Sequence, residues 1–277
     1  MELCCALRVL PGPGNVNKVD TLCYTIMQMS KAVAEARTRI EEGIAESARR
    51  VGRDAGEVRI MAVTKNHPLE AVQECLDAGI SLFGENRVQE AQEKYAESFL
   101  RGVEAPELHL IGHLQRNKAK LVPDLFSAVQ SIDAERTARA LSQACAARNL
   151  RMQVYLEVNT SGEESKQGVR DEDALLRLVE GVAQFPELEI CGLMTIAPFT
   201  REESVLRESF RRLRVLRDRA AARFPEQPIR IGWRCCRGGR WTASGSCIAR
   251  RRPADMRRTP TSACVRSHSA RDGGGRH

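Results

Sequence analysis

The side chains able to do chemistry fall at the ends of apolar runs. Lys65 closes "VRIMAVTK" (58–65), and Glu85-Asn86 close "SLFGEN" (81–86). His113 closes "LHLIGH" (108–113), and Ser131 lies near the end of "LFSAVQSID" (125–133). Asn159 follows "QVYLEV", and Met194-Thr195 lie near the end of "LEICGLMTIA" (188–197). Lys65 is the most suggestive of these. A lysine partly desolvated at the end of an apolar strand has its pKa lowered, and the neutral amine is the form that attacks an aldehyde to give an imine. A solvated strand-end lysine fits the same pattern, because most lysines are exposed. His113 is followed by Gln115, Asn117, Lys118 and Lys120, a basic turn that could hold a phosphate or carboxylate or could equally be solvated surface. "EVNTSGEESKQGV" is polar and glycine-bounded, but lacks the Gly-Lys-Ser/Thr ending of a Walker loop.

The elements that must position these groups alternate regularly. A helix capped by Ser30 is expected to carry Val33, Ile40, Ile44, Ala48 and Val51 on one face. Six apolar runs then read as strands, each followed by a helical pattern. The helices are expected at Pro68–Gly79, Arg87 to about Phe99, Gln115–Lys120, from a cap at Asp133 through Cys145, around Leu175–Val182, and at Ser204–Phe224. Continuous apolar strands alternating with helices imply a parallel sheet covered by helices. A closed barrel of eight units or a doubly wound open sheet would both satisfy the pattern.

Composition bounds the rest. The chain has 277 residues and a net charge of +7, unevenly spread. From Ile229 to His277 there are 12 arginines against Asp255 and Asp272, a balance of +10, whereas the first 228 residues hold 31 basic and 34 acidic groups, or −3. That final stretch has no Leu, Phe, Glu or Lys, and holds seven glycines and both tryptophans, so no apolar run of strand length is expected in it. Its Arg and Trp content would suit a nucleic-acid arm, but composition alone weighs little for one. Cys235, Cys236, Cys247, Cys264 and His268 match no common zinc spacing. Residues 1–28, with two Pro-Gly breaks, are expected to be a loose or mis-started extension, with Met27 and Met29 as alternative starts. No stretch approaches the apolar length of a membrane span. Cys75, Cys145 and Cys191 sit singly on apolar segments, as buried free thiols of a reducing, cytoplasmic compartment would.

Taken together, "VRIMAVTKNHP", "LFGENRVQEAQEK", "LHLIGHLQRNKAK", "SIDAERTARAL", "VNTSGEESKQGV" and "CGLMTIAP" closely resemble the pyridoxal phosphate homeostasis family, a YggS/PROSC-like group similar to the N-terminal domain of alanine racemase. The resemblance runs from about Met29 to Phe224. It implies a TIM (β/α)8-type barrel of the fold-type III class that binds pyridoxal 5′-phosphate (PLP) and buffers it without a known turnover. By position, Lys65 matches the lysine that holds the cofactor as a reversible imine. Asn86 lies in the "GEN" motif at the cofactor face, His113 at the barrel mouth, and Met194 beneath the ring. Lys166 matches a lysine of the "ESK-G" loop whose role stays open. The implied partners are PLP and PLP-dependent apo-enzymes that would receive it, with a monomeric chain, no membrane and no nucleic acid. A fold-type III racemase or decarboxylase is the alternative, although such enzymes carry a further β domain for which no β-rich segment follows. A nucleic-acid binder working through the basic tail is the other.

The departure matters as much as the match. The family's seventh strand carries a "S-M-G-M-S" type motif and its eighth a "V-R-x-G-x-x-x-F-G" motif, which supply phosphate donors and an arginine for the pyridine nitrogen. Neither motif is found after Pro228. The expected organisation is therefore an extension at 1–28, an incomplete barrel of about six units at 29–228, and an aberrant tail at 229–277. The tail has the composition of GC-rich DNA read out of frame, as a frameshift near codon 228–232 would give.

Overall fold

A computed structural model describes residues 18–96, 106–200 and 202–234, with side chains over 31–96, 106–200 and 202–229. Seven strands are linked by helices: β1 (Ala62–Val63), β2 (Leu82–Glu85), β3 (Glu107–Leu110), β4 (Ala128–Ile132), β5 (Met152–Glu157), β6 (Leu188–Ile196) and β7 (Arg230–Arg234). All neighbouring pairs are parallel, and the sheet order is β1-β2-β3-β4-β5-β6-β7. This order decides between the two architectures open from sequence. A doubly wound sheet reverses its strand order at a switch point. Here the order never reverses, which is the winding of a (β/α) barrel. Among the described residues β1 and β7 are the two edges of the sheet.

The helices are α1 (Lys18–Arg50), α2 (Leu69–Asp77), α3 (Val88–Tyr95), α4 (Glu135–Ala146), α5 (Glu172–Ala183) and α6 (Glu203–Arg223), with a 3-10 helix at Arg116–Leu121. They bury the outer face of the sheet in one large core. Val72 and Cys75 of α2, Leu141 and Cys145 of α4, Leu175 and Val179 of α5 and Leu213 of α6 pack there with Phe83, Leu110, Val129, Val154, Leu156 and Leu193 from the strands. A second, smaller cluster of Tyr155, Cys191 and Met194 lies apart from it. At the end of α2, Gly79 (φ +76) turns the chain back, and Arg37 of α1 donates to the Ala78 carbonyl at 2.6 Å. A Cβ at Gly79 would sit 2.2 Å from the Arg37 guanidinium, so glycine serves both the left-handed turn and this contact.

Several expectations need correction. Helix α1 begins at Lys18, not at a Ser30 cap, so the boundary placed at residue 28 falls inside a helix; residues 1–17 lie outside the described residues. Val33, Ile44 and Ala48 are buried as expected, but Val51 is 68% exposed, because the helix ends at Arg50 and Gly52 (φ 65) turns the chain away. Asp133 does not cap α4. Its N-cap is Ala134, with no side-chain hydrogen bond. In the helix expected at Ser204–Phe224, Leu206 and Phe224 are only half-buried, with Phe224 packed against the margin of the core. The largest correction is β7, which pairs in register with β6 from Gly192↔Arg230 to Ile196↔Arg234. It lies within the segment assigned to a structureless tail and outside the barrel boundary at 228. Ile229, Ile231 and Trp233 alternate there with Arg230, Gly232 and Arg234, a two-residue period that an average over 49 residues conceals. The rest of the tail, 235–277, lies outside the described residues, and with it Cys235, Cys236, Cys247, Cys264, His268 and most of the segment weighed as a nucleic-acid arm.

Cys75, Cys145 and Cys191 are buried free thiols, as expected. Burial pushes Cys75 and Cys145 up to about 11, and the carboxylates of Glu74 and Glu187 add to it respectively. The folded state therefore retains these protons above the unfolded value of 9.0, and their contribution to stability is complete below that pH. It is lost as pH rises from about 9 to about 11. Denaturant titrations should show a fall of a few kcal/mol over this window, about 2–3 kcal/mol per thiol at most. Cys75→Ala with Cys145→Ala should flatten that slope. Peptide mapping should find both thiols slow to alkylate at pH 8 in the native protein.

Candidate functional site

In a parallel α/β sheet the C-terminal strand ends form the face where ligands bind. Lys65 emerges just beyond β1 in a four-residue turn, Thr64 to His67, closed by the His67 N–H donating to the Thr64 carbonyl at 3.0 Å. Asn66, the third residue, has φ 60, a left-handed conformation that Asn tolerates better than most. Lys65 is half-buried, and no hydrogen bond or ion pair holds its amine among the described residues.

The turn is held from α3. The Lys94 ammonium donates to the Thr64 carbonyl at 2.7 Å and to Glu85 Oε1 at 2.8 Å. Glu85 Oε1 also accepts from the Thr64 hydroxyl at 2.7 Å and lies 3.4 Å from the Tyr95 hydroxyl. Glu85 is fully buried and the Lys94 side chain is 7% exposed. One helical turn earlier, Glu90 Oε1 accepts the Asn66 N–H at 2.5 Å. Burial drives the Tyr95 hydroxyl well above its ordinary range, and the Glu85 carboxylate adds to the shift while a hydrogen bond with Thr64 opposes it. Glu90 and Lys94 were missed in the sequence because an i, i+4 Glu–Lys pair reads as an exposed helix face.

Asn86 and His113 follow β2 and β3, so Lys65, Asn86 and His113 occupy three successive strand ends. The backbones touch there. A Cβ at Gly112 would lie 2.2 Å from the Asn86 carbonyl oxygen, so the "IGH" glycine permits this approach. The Ser131 hydroxyl then ties β4 to the same point by donating to the Gly112 carbonyl at 2.5 Å. The His113 side chain is 47% exposed, with Nδ1 4.0 Å from Asp133. It borders a cleft of about 320 Å³ lined by Arg116, Asp133, Arg136, Thr137 and Gln167.

Met194 is placed differently. It is fully buried on β6, five strands from β1, in a cluster with Tyr155 and Cys191. Its neighbour Thr195 donates to the Val158 carbonyl at 2.6 Å and meets Thr160, whose hydroxyl reaches Ser209 of α6 at 2.5 Å. Asn159 organises the "SGEESKQG" loop. Its Oδ1 accepts from Ser161 and Gly162, and its Nδ2 donates to the carbonyls of Glu163 (2.8 Å) and Lys166 (3.2 Å). Lys166 is thereby fixed, its ammonium pairing with Glu163 at 2.7 Å and reaching the Ala197 carbonyl at 3.2 Å. Among the described residues no group of three potential ligands could hold a metal ion, and no helix is long and apolar enough to cross a membrane.

Comparison with known proteins gives this geometry a context. The model of the alanine racemase N-terminal domain matches residues 40–236. The pyridoxal phosphate homeostasis protein of Pseudomonas aeruginosa is 40% identical over 185 residues, covering 66% of this chain and 78% of that one. Its namesake from Aquifex aeolicus is 35% identical over 184 residues, covering 66% and 79%. PipY of Synechococcus elongatus, solved with PLP bound, superposes with a TM-score of 0.58 at 28% identity, covering 69% of this chain and 87% of that one.

Asn159 is 5% exposed with both ends of its amide engaged, so its removal should be felt locally. Asn159→Ala is expected to cost about 1–3 kcal/mol in denaturant unfolding. It should also speed amide exchange across residues 160–168. Unchanged exchange there would show that the loop is held by other means.

Proposed function

This chain belongs to the alanine racemase N-terminal domain family and, within it, to the pyridoxal phosphate homeostasis proteins; from that premise we propose that it binds PLP at Lys65 and holds it reversibly, without turning over a substrate. The observation that carries the reading is the Lys65 turn. It presents a primary amine at the ligand-binding end of a parallel sheet, with no partner among the described residues and its backbone pinned on both sides.

PLP supplies an aldehyde that condenses reversibly with a primary amine, releasing water, together with a phosphate dianion and a pyridine ring. The chain's residues suit the aldehyde end. Lys65 offers the amine. Asn86, on the adjoining strand end, offers an amide, and the absent Cβ at Gly112 lets the ends of β2 and β3 approach closely. Met194, buried on β6 with Tyr155 of β5, and His113, half-exposed beyond β3, are the other residues assigned to the cofactor. In a barrel of this kind the phosphate is gripped beyond strands seven and eight. The "S-M-G-M-S" type motif that supplies phosphate donors there in the family does not occur after Pro228 in this sequence. The residues thus fit a reversible holder of the aldehyde with a weak grip on the phosphate. Release to another amine, such as a lysine of an apo-enzyme, would need no group beyond that amine. The buried thiols accord with a reducing compartment such as the cytoplasm.

An absorbance titration with PLP should give a Lys65-dependent band with an apparent Kd at least tenfold above that of the Pseudomonas aeruginosa relative measured alongside. Lys65→Ala should abolish the band, and borohydride reduction should leave the adduct on the peptide containing Lys65. A band that persists in Lys65→Ala would refute the assignment. Equal affinity in the two proteins would refute the weak phosphate grip.

A further inference from the structure

We infer that Glu90 and Lys94 of α3 are positioning residues for Lys65, acting as a two-point clamp on the turn that carries it; this rests on the reading of Lys65 as the PLP-binding amine. A lysine has four rotatable bonds, so its reach is defined only if its own backbone is fixed. Lys65 is the second residue of a turn whose first carbonyl and third amide are both engaged by one helix face. Lys94 takes the Thr64 carbonyl at 2.7 Å, and Glu90 takes the Asn66 N–H at 2.5 Å. The His67 N–H shares the Thr64 carbonyl, so the turn is closed from inside and held from outside.

The chemistry of the two contacts sets them apart from ordinary packing. Each has a charged partner, and charge-assisted hydrogen bonds are about twice as strong as neutral ones. Lys94 is held in place by Glu85, which is fully buried at the end of β2. The clamp therefore joins β1, β2 and α3, and the left-handed Asn66 is kept in place by its own amide. Backbone held this way is pre-organised, so less ordering entropy is lost when the amine engages a ligand. None of these contacts touches the amine. They act on where it points.

The discriminating experiment uses the full chain and PLP itself. Wild type, Lys65→Ala, Glu90→Ala and Glu90→Gln are each equilibrated with PLP, reduced with borohydride and mapped for the modified lysines. Glu90→Ala removes the acceptor from a side chain that is 25% exposed, whereas Glu90→Gln retains one. Expected is an apparent affinity about tenfold lower for Glu90→Ala. Its adducts should also spread from Lys65 to Lys118, Lys120 and Lys166, and Glu90→Gln should restore most of the selectivity. A purely structural Glu90 would change thermal stability without moving that distribution. If Lys65→Ala abolishes the adduct while Glu90→Ala labels Lys65 as wild type does, the clamp is refuted and the PLP reading stands. If wild type shows no preference for Lys65, the PLP reading itself fails. Should Glu90→Ala not fold, amide exchange in the unmodified protein decides. The clamp requires a slowed Asn66 N–H, and exchange at the free-peptide rate would overturn it.

Discussion

A parallel sheet must cover both of its faces, and this constraint organises the molecule. No hairpin can link parallel neighbours, so each connection crosses back over the sheet, here as a helix in most units. With the order running β1 to β7 without reversal, every crossover falls on the same side. That side becomes the large core, where the buried faces of α2, α4, α5 and α6 meet the strands. The other face must be covered by the sheet curving on itself. Its contribution is the small cluster of Tyr155, Cys191 and Met194, with Ile196 at its margin. The same winding puts all strand C-termini on one rim, so Lys65, Asn86, His113, Asn159 and Thr195 lie there by topology.

Once the rim exists, a buried ion pair gives part of it a definite shape. Glu85 and Lys94 are almost wholly removed from water. Removing either partner alone would leave an uncompensated charge in the interior, at a cost of about 3–5 kcal/mol. The net stability gained from such a pair is small. Its consequence is geometric, because Lys94 also donates to the Thr64 carbonyl and so fixes the turn that carries Lys65. The Thr64 and Tyr95 hydroxyls converge on the same Glu85 oxygen, which leaves the carboxylate few alternative orientations.

Much of this was legible in the chain, and the failures have physical causes. The six apolar runs became strands because both faces of a parallel strand are buried, which requires near-continuous hydrophobicity. "VRIMAVTK" is eight residues long, yet its ladder spans only Ala62–Val63. Ladder length depends on overlap with the partner, and β2 begins only at Leu82. The β7 strand was hidden because its ladder is made of backbone groups that tolerate arginine and tryptophan, while the composition of the whole tail argued against any regular structure. Lys65, Asn86 and His113 were placed at strand ends by position in the runs. Met194 was placed on the right strand, but its complete burial could not be read from a motif. The clamp was invisible because it depends on α3 folding back over the end of its own strand, and a pattern of charges cannot report that contact.

The inner face supplies the last constraint. At the N-terminal end of the sheet, Arg59 donates to Glu107 at 2.6 Å, and Glu107 accepts from His109 Nε2 at 2.9 Å. The Gln130 amide donates to His109 Nδ1 at 2.7 Å. These contacts match the Nε2–H tautomer of the imidazole, with one nitrogen facing a carboxylate and the other an amide donor. Such a series of polar side chains across β3 and β4 resists any slip of register between the strands, although Arg59 Nη1 and Gln130 Oε1 are buried without a hydrogen-bond partner among the described residues. The two ends of the sheet therefore carry different work. The N-terminal end is locked by interior hydrogen bonds, with His109 and Gln130 both about 1% exposed. The C-terminal rim keeps an amine without a partner among the described residues and holds only its backbone. On the proposed reading of Lys65 that division matters, because side-chain bonds that fixed the amine directly would compete with a ligand.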